Sequence, residues 1–198
     1  MTPSEAPTER TPFRHLGEPL ALELANTIPR EWNDETEDLI RDPNDAVAWL
    51  VAEGLPRPDD PELAFEELLS LRSAIRVTTE ALISDSRPTA DALHTLNEVA
   101  ARGPSTPLIR YRRGGLNVVE NLWATPLDDA LGRIARDAVR LLGGPRGSQI
   151  KQCEGPGCLL LFVASNPRRR WCSSRLCGNR VRVARHQKRS GGTRPRQS

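Results

Sequence analysis

The sequence predicts a mainly α-helical protein with one β-hairpin in its body and a small cysteine-rich module at its C-terminal end. Apolar residues recur at helical spacing through most of residues 18–142, and two β-prone runs flank a Gly-Gly pair at 114–115. All four cysteines lie in the last quarter of the 198 residues. We therefore expect a disordered lead-in over residues 1–12, a helical domain over 13–145, the module over 150–190 and a disordered tail over 191–198.

Five segments of the body have the apolar spacing of helices, and several have a recognisable first turn. Asp60-Pro61, Thr89 and Thr125-Pro126 are typical helix starts, because a side-chain oxygen satisfies a free backbone amide and proline fits the first turn. Glycine follows several of the predicted ends. The predicted helices cover residues 18–28, 42–53, 61–84, 89–102 and 126–142.

The run LIRYRRGGLNVVE at residues 108–120 predicts the hairpin of the body. Its two halves are rich in β-branched and aromatic residues, and Gly114-Gly115 between them can adopt the positive φ angles of a tight turn. The first 150 residues are therefore expected to form a helical domain with a single hairpin.

Polar groups at the end of the first predicted helix suggest a ligand pocket. Asn26 and Thr27 follow an otherwise apolar helix, and Trp32 comes soon after them. Polar side chains beside a core can line a pocket, so Asn26 and Trp32 are candidates for binding an unknown small-molecule effector. The alternative is that Asn26 only caps the helix by a local hydrogen bond.

No catalytic or membrane-spanning signature is found in the sequence. His15, His94 and His186 lie in no recognisable nucleophile or metal motif, and no glycine-rich phosphate loop follows a predicted strand. We therefore expect a protein that is not an enzyme. No apolar run approaches the ~20 residues needed to cross a bilayer, and the N-terminus lacks the features of a signal peptide. We expect a cytoplasmic protein in a reducing environment.

The four cysteines form two pairs with the same spacing. Cys153 and Cys158 make one C-x4-C pair, and Cys172 and Cys177 make the second after thirteen intervening residues. Such pairs fit a tetrahedral zinc site, whereas the alternative of two disulfides is disfavoured in a reducing compartment. Four thiolates leave no open coordination position, so we expect one structural Zn²⁺.

The residues around the cysteines predict a treble-clef-like zinc finger with the order knuckle, β-hairpin and helix. Residues 159–163 are β-prone, Ser165-Asn166-Pro167 is a turn, and residues 168–171 are predicted to return as the second strand. Ser173 or Ser174 can cap a helix over about 175–189.

Charge is distributed very unevenly along the chain. Residues 151–198 hold 12 of the 28 basic residues and one of the 26 acidic residues, so this segment has a net charge of +11 and the rest of the chain has −9. A basic segment of this kind predicts a polyanionic partner, in preference to a merely solvated surface.

A helical wheel places Cys177 and Val181 towards the zinc and Arg175, Arg182, Arg185 and Arg189 on the opposite face. Outward guanidinium groups on a rigid helix suit phosphates and guanine edges, so duplex DNA is the predicted partner. Asn179 could contact adenine, although a local cap is an equally simple role. The predicted nucleic-acid contacts are Arg168, Arg169, Arg170, Arg175, Asn179, Arg180, Arg182, Arg185, Lys188 and Arg189.

Two further partners remain open at this level. RNA is one alternative, although single-strand recognition usually adds exposed aromatic residues for stacking. A protein-interaction module is the other, in which the basic helix contacts an acidic partner or the acidic body of its own chain. A single finger is expected to bind DNA weakly, which favours a homodimer.

Two parts of the chain resemble known families. RWCS at residues 170–173, followed by CGNR at 177–180, resembles the CGNR zinc finger. GEPLALELANT at 17–27, with AWLVAEGL at 48–55, resembles the ABATE domain that usually precedes it. The resemblance implies zinc ligands at the four cysteines and a role as a stress-induced transcription regulator, and therefore DNA binding.

Overall fold

The computed structural model describes residues 13, 15–28, 30–32, 35–102, 106–112, 115–121 and 124–183. The predicted lead-in and tail lie outside these residues, as does the segment 184–190 at the end of the predicted basic helix.

The helical content follows the sequence pattern closely, and the predicted fold class is confirmed. The α-helices are α1 (Leu20–Ala25), α2 (Pro43–Ala52), α3 (Pro61–Ile83), α4 (Ala90–Ala101) and α5 (Pro126–Leu142). The strands are β1 (Arg30–Trp32), β2 (Glu35–Glu37), β3 (Thr106–Arg112), β4 (Gly115–Asn121), β5 (Ile150–Gln152) and β6 (Leu161–Val163). Two short turns complete the order, a 3-10 turn at Gly147–Gln149 and a π-helical turn at Ser174–Gly178.

The predicted helix starts are made by the expected side chains. Asp60 accepts a hydrogen bond from the Leu63 amide, and Thr125 accepts one from the Asp128 amide at 3.1 Å. Proline occupies the first turn of both helices. These contacts satisfy amides that have no partner within the helix, which is why α3 and α5 begin where the sequence predicts.

The core of the body lies where α3 crosses the other helices. α3 packs against α1, α2, α4 and α5, and α4 also packs along α5. The apolar faces of these helices meet in one cluster whose fully buried members include Leu22, Trp49, Leu68, Ile75 and Leu131. Burial of such a cluster from several helices is the main source of stability for a domain of this size.

The predicted hairpin is present, and a second short hairpin was not predicted. β3 and β4 pair antiparallel, with Tyr111 opposite Leu116 near the turn. β1 and β2 pair antiparallel over three residues each. Because β1 and β2 are so short and polar, they carry no alternating apolar pattern that would have marked them in the sequence.

The strand pairing in the cysteine module differs from the predicted pairing. β6 pairs with β5, which precedes the first cysteine, and residues 168–171 form no strand. Asn166 forms a tight turn by accepting the Arg168 amide on its side chain and the Arg169 amide on its carbonyl. The chain then returns across the knuckle, where the Arg170 carbonyl accepts the Glu154 amide, so residues 168–171 stay in an irregular conformation.

Residues 143–149 form a packed connection between the two parts of the chain. Its 3-10 turn contacts α3 and α5. Ile150, Leu161 and Val163, at the ends of the β5–β6 pair, are buried in the same apolar cluster as the body helices. The β5–β6 pair of the cysteine module therefore contributes to the core of the body, whereas the four cysteines form a separate buried cluster with Leu160, Phe162 and Ala164.

Candidate metal centre and basic surface

The four cysteines converge on one point. The Sγ atoms of Cys153, Cys158, Cys172 and Cys177 all lie within 4.8 Å of one another, and all four residues are buried. Four sulfurs around a tetrahedral Zn²⁺, each with a Zn–S bond of about 2.3 Å, would be roughly 3.8 Å apart, so the cluster has the size that zinc requires. These residues would hold the ion with no open position for water, as in a structural site.

The first pair lies in the loop that joins β5 to β6. The amides of Gly155 and Cys172 donate to the Cys153 Sγ at 3.4 and 3.3 Å. A Cβ atom added to Gly155 would lie 3.0 Å from the Cys177 side chain, so a larger residue here would push that cysteine by a few tenths of an ångström. The loop therefore folds around the sulfur cluster with its backbone amides directed at a thiolate.

Hydrogen bonds within the cluster favour the thiolate form of Cys153, and they raise the pKa of Cys158 and Cys172, whose thiols donate to it. Hydrogen bonds from the Cys158 thiol and then from the Cys172 thiol lower the pKa of Cys153 to about 2. The Cys172 pKa is raised because its thiol donates to Cys153. A guanidinium nitrogen of Arg180 lies 3.0 Å from the Cys177 Sγ. Such donors stabilise the thiolate form that a zinc ligand must adopt.

The second pair lies at the start of the last helix. The Ser173 hydroxyl accepts the amides of Arg175 and Leu176, as the sequence predicted for the cap. The helix opens with the π-helical turn, which contains Cys177, and continues as α-helix through residues 179–183, where the described part ends. Cys177 and Gly178 are buried, whereas Arg175 and Asn179 are exposed. The burial of Cys177 and the exposure of Arg175 and Asn179 agree with the helical wheel, whereas Gly178 lies on the outer side of the wheel and is buried.

Arg169, one of the predicted nucleic-acid contacts, makes its observed contacts inside the module and with the body. Its guanidinium group donates to the carbonyls of Val163, Trp171 and Cys172, and it lies 4.3 Å from the centre of the Phe162 ring. These contacts use its donors inside the module, because the loop that carries Cys172 has no strand partner for its carbonyls.

Glu18 of the body completes this arrangement and was missed by the sequence reasoning. Its carboxylate accepts the Val163 amide at 2.9 Å and the Arg169 guanidinium at 3.1 Å. The Glu18 side chain is only 7% exposed. The residue belongs to the GEPLALELANT stretch, but nothing in its local spacing shows a partner 151 positions away.

Asn26, a predicted pocket residue, makes a second junction between the body and the module. Its amide nitrogen donates to the Leu161 carbonyl at 2.9 Å, and its amide oxygen accepts the Leu161 amide at 2.7 Å. Thr27 accepts the Arg72 guanidinium. The donor and the acceptor of the Asn26 side-chain amide are therefore both paired with the backbone of Leu161, the first residue of β6. The Trp32 side chain lies outside the described residues.

The remaining predicted arginines divide into two groups. Arg170 pairs with Glu154, and the Arg182 guanidinium donates back to the carbonyls of Gly178 and Ser174. Among the residues that the structure describes, Arg168 and Arg175 are exposed and their side chains contact no acidic or carbonyl partner. Arg185, Lys188 and Arg189 lie outside the described residues.

The fold and this centre define a helical protein with a built-in four-cysteine zinc finger. Residues 149–190 match the model of the CGNR zinc finger. Residues 18–145 match the family model described as "ABATE: Putative stress-induced transcription regulator". That match covers more than half of the chain, so the chain belongs to the ABATE family, with a CGNR zinc finger after the ABATE domain. A comparison with curated proteins gave no match.

The family assignment indicates a regulatory protein in which a zinc finger accompanies the helical domain. Within the described ranges, none of the helices is both long and apolar enough to cross a membrane.

Proposed function

We propose that the protein is a cytoplasmic transcription regulator that binds duplex DNA through its zinc finger and has no enzymatic activity. The observation that carries the proposal is the pair of exposed guanidinium groups at Arg168 and Arg175, which have no acidic or carbonyl partner among the described residues and flank the predicted zinc ligand Cys172 in sequence. Zinc bound by the four cysteines would fix this loop and the helix start, and an exposed cation on a fixed backbone suits a phosphate better than one on a free tail.

The fold determines which arginines of the zinc finger are exposed to solvent. Arg169 and Arg180 are used to hold the loop and the sulfur cluster, which leaves Arg168, Arg170 and Arg175 towards solvent. Residues 151–198 contain twelve basic residues and a single acidic residue. This balance supports a polyanionic partner, and the family description supports a regulatory role.

DNA is favoured over RNA by the aromatic residues. Phe162 is fully buried, and Trp171 is half-buried against the cysteine cluster. Neither offers a free platform of the kind that stacks successive unpaired bases. An acidic protein partner is the second alternative, and the acidic body of the same chain is one such partner. The ion pair between Glu18 and Arg169 is a contact of this kind, but it uses a buried carboxylate, and no described acidic residue of the body pairs with Arg168 or Arg175.

The test is fluorescence anisotropy of the zinc-loaded protein with random duplex DNA over a salt series. Binding is expected to weaken with salt with a log–log slope of about −4 to −5, as four to six phosphate contacts require. Chelation of zinc should abolish it, and a structured RNA should compete poorly. The absence of binding by zinc-loaded protein at low salt would contradict the proposal.

The control in this experiment should keep the whole chain. Truncation after residue 150 would remove Leu161 and Val163 from the core of the body, so a loss of binding could reflect unfolding. Arg87→Ala removes one exposed charge from the loop between α3 and α4 and leaves the finger intact. This variant should bind DNA as the unmodified protein does.

A further inference from the structure

A cleft of about 670 Å³ lies where the zinc finger meets the first residues of the body. The finger supplies its wall from Arg168 to Leu176, and the body supplies His15 and Leu16. Leu16 also packs against the cysteine cluster, so the body side of the cleft is held close to the metal centre.

The charges in the cleft are of one sign. Among the described residues that line it, none is acidic, and four are arginines. Arg169 is used by Glu18 and by loop carbonyls, and Arg170 pairs with Glu154. The other two arginines, Arg168 and Arg175, lie on opposite sides of Cys172 in the sequence. Within the described part of the chain, their N–H donors are available to a ligand. An anion entering the cleft would meet these donors without having to displace a carboxylate.

The body contributes a further polar group. His15 Nδ1 lies 3.1 Å from the Glu53 carboxylate, and the His15 side chain is 50% exposed. A carboxylate partner orients the ring of a histidine and leaves its second nitrogen for another contact. Trp171 and Leu176 add apolar surface beside the cations. A nucleic-acid backbone has this combination, because each charged phosphate is joined to less polar sugar atoms.

We propose that this cleft takes a phosphodiester group of the bound DNA strand, held by Arg168 and Arg175, and that His15 makes the body part of the DNA interface. This inference rests on the proposed function and extends it, since the basic helix alone would not require the body to touch DNA. It also gives the body a direct role in setting how the finger approaches the duplex.

The test compares full-length, zinc-loaded variants by anisotropy over a salt series. The double variant Arg168→Ala/Arg175→Ala is matched by Arg57→Ala/Arg87→Ala, which removes two exposed charges elsewhere. The cleft variant should bind about 10-fold more weakly at low salt, with a salt slope reduced in magnitude by about 1. The control pair should retain the slope. Equal effects in both pairs would overturn the cleft and leave the proposed function standing.

The role of the body is tested separately with His15→Ala, matched by His94→Ala on the exposed side of α4. His15→Ala should weaken binding measurably, whereas His94→Ala should not. If the two variants bind alike, the body has no part in the interface and that part of the proposal is wrong. Zinc content and circular dichroism should be the same for every variant, because none of these side chains belongs to the core.

A direct titration separates failure of the cleft from failure of DNA binding. If the unmodified protein binds no DNA, inorganic phosphate can be added to ¹⁵N-labelled protein and followed by NMR. Shifts confined to Trp171, Arg175 and their neighbours would retain an anion site in a protein that is not a DNA binder. The absence of any shift at these residues would overturn the cleft as well.

Discussion

The carboxylate of Glu18, in the helical body, joins two separate parts of the zinc finger. One oxygen accepts the Val163 amide at the edge of β6, and the other accepts the guanidinium of Arg169. Arg169 in turn donates to the carbonyl of Cys172, a predicted zinc ligand. The body therefore contacts the metal centre through a single intervening side chain, and we expect the stability of the two parts to be linked.

Replacing Glu18 tests this link. Glu18→Gln removes the charge that balances Arg169 and should lower the free energy of unfolding by about 2 kcal/mol, as expected for a hydrogen bond to a charged group. Zinc transfer to a chromogenic chelator should be ~10-fold faster, because Arg169 would hold the Cys172 carbonyl less firmly. Glu154→Gln, whose partner Arg170 is exposed, is the control and should leave both measurements unchanged. Equal zinc transfer rates in the two variants would contradict the link.

A negative charge at Asn26 should lower the stability of the protein even though the side chain keeps its size. Asn26→Asp replaces the donor to the Leu161 carbonyl with a carboxylate oxygen, which leaves that carbonyl unpaired and opposed by a buried negative charge. We expect a loss of about 3 kcal/mol in urea denaturation. Asn97→Asp makes the same chemical change at an exposed position of α4 and should be nearly neutral. A small effect at Asn26 would mean that this junction carries little of the stability.

Two glycines near the metal centre should respond differently to alanine. An added Cβ at Gly155 would lie 3.0 Å from the Cys177 Sγ, whereas at Gly178 its nearest neighbour would be the Ser173 carbonyl at 3.4 Å. Gly155→Ala should therefore lower zinc affinity by at least ~10-fold, and Gly178→Ala should retain it. Competition with a metal chelator of known affinity measures both. Full zinc affinity in Gly155→Ala would contradict the geometry of the knuckle.

Loss of one sulfur should remove the ion. Cys172→Ser is expected to bind no zinc at micromolar concentrations, since a hydroxyl is a poor substitute for a thiolate, and the finger should lose its fixed structure. Elemental analysis gives the metal content, and the near-ultraviolet circular dichroism of Trp171 gives the order of the module. Ser148→Ala, at an exposed site outside the finger, is the control. One zinc per chain in Cys172→Ser would exclude this site.

The parts of the fold with local signals were predicted well. Helix α5 begins at Pro126 after the Thr125 cap and ends before Gly143, because caps and apolar spacing act over a few residues. The β3–β4 hairpin and the cysteine cluster were predicted for the same reason, since glycine pairs and C-x4-C spacing are visible in short windows.

The contacts between the body and the finger could not be predicted in this way. β5 has three residues, and only its pairing with β6 and its burial against α3 make it a strand. Arg169 is one of three consecutive arginines, and only the folded chain shows that its donors are used internally while Arg168 is exposed to solvent. Asn26 and Glu18 act across more than 130 positions, where sequence spacing carries no information.

Native-state hydrogen exchange of the zinc-loaded protein tests most directly whether the finger and the body are one folding unit. The amides of Leu161 and Val163 are bonded to Asn26 and Glu18, and the Leu131 amide reports on the core of the body. We expect all three amides to exchange only through global unfolding, with the same free energy of opening and the same dependence on denaturant. Suppose that Leu161 and Val163 exchange through a local opening with a lower free energy than that of Leu131. The finger would then fold independently of the body, which would contradict the account.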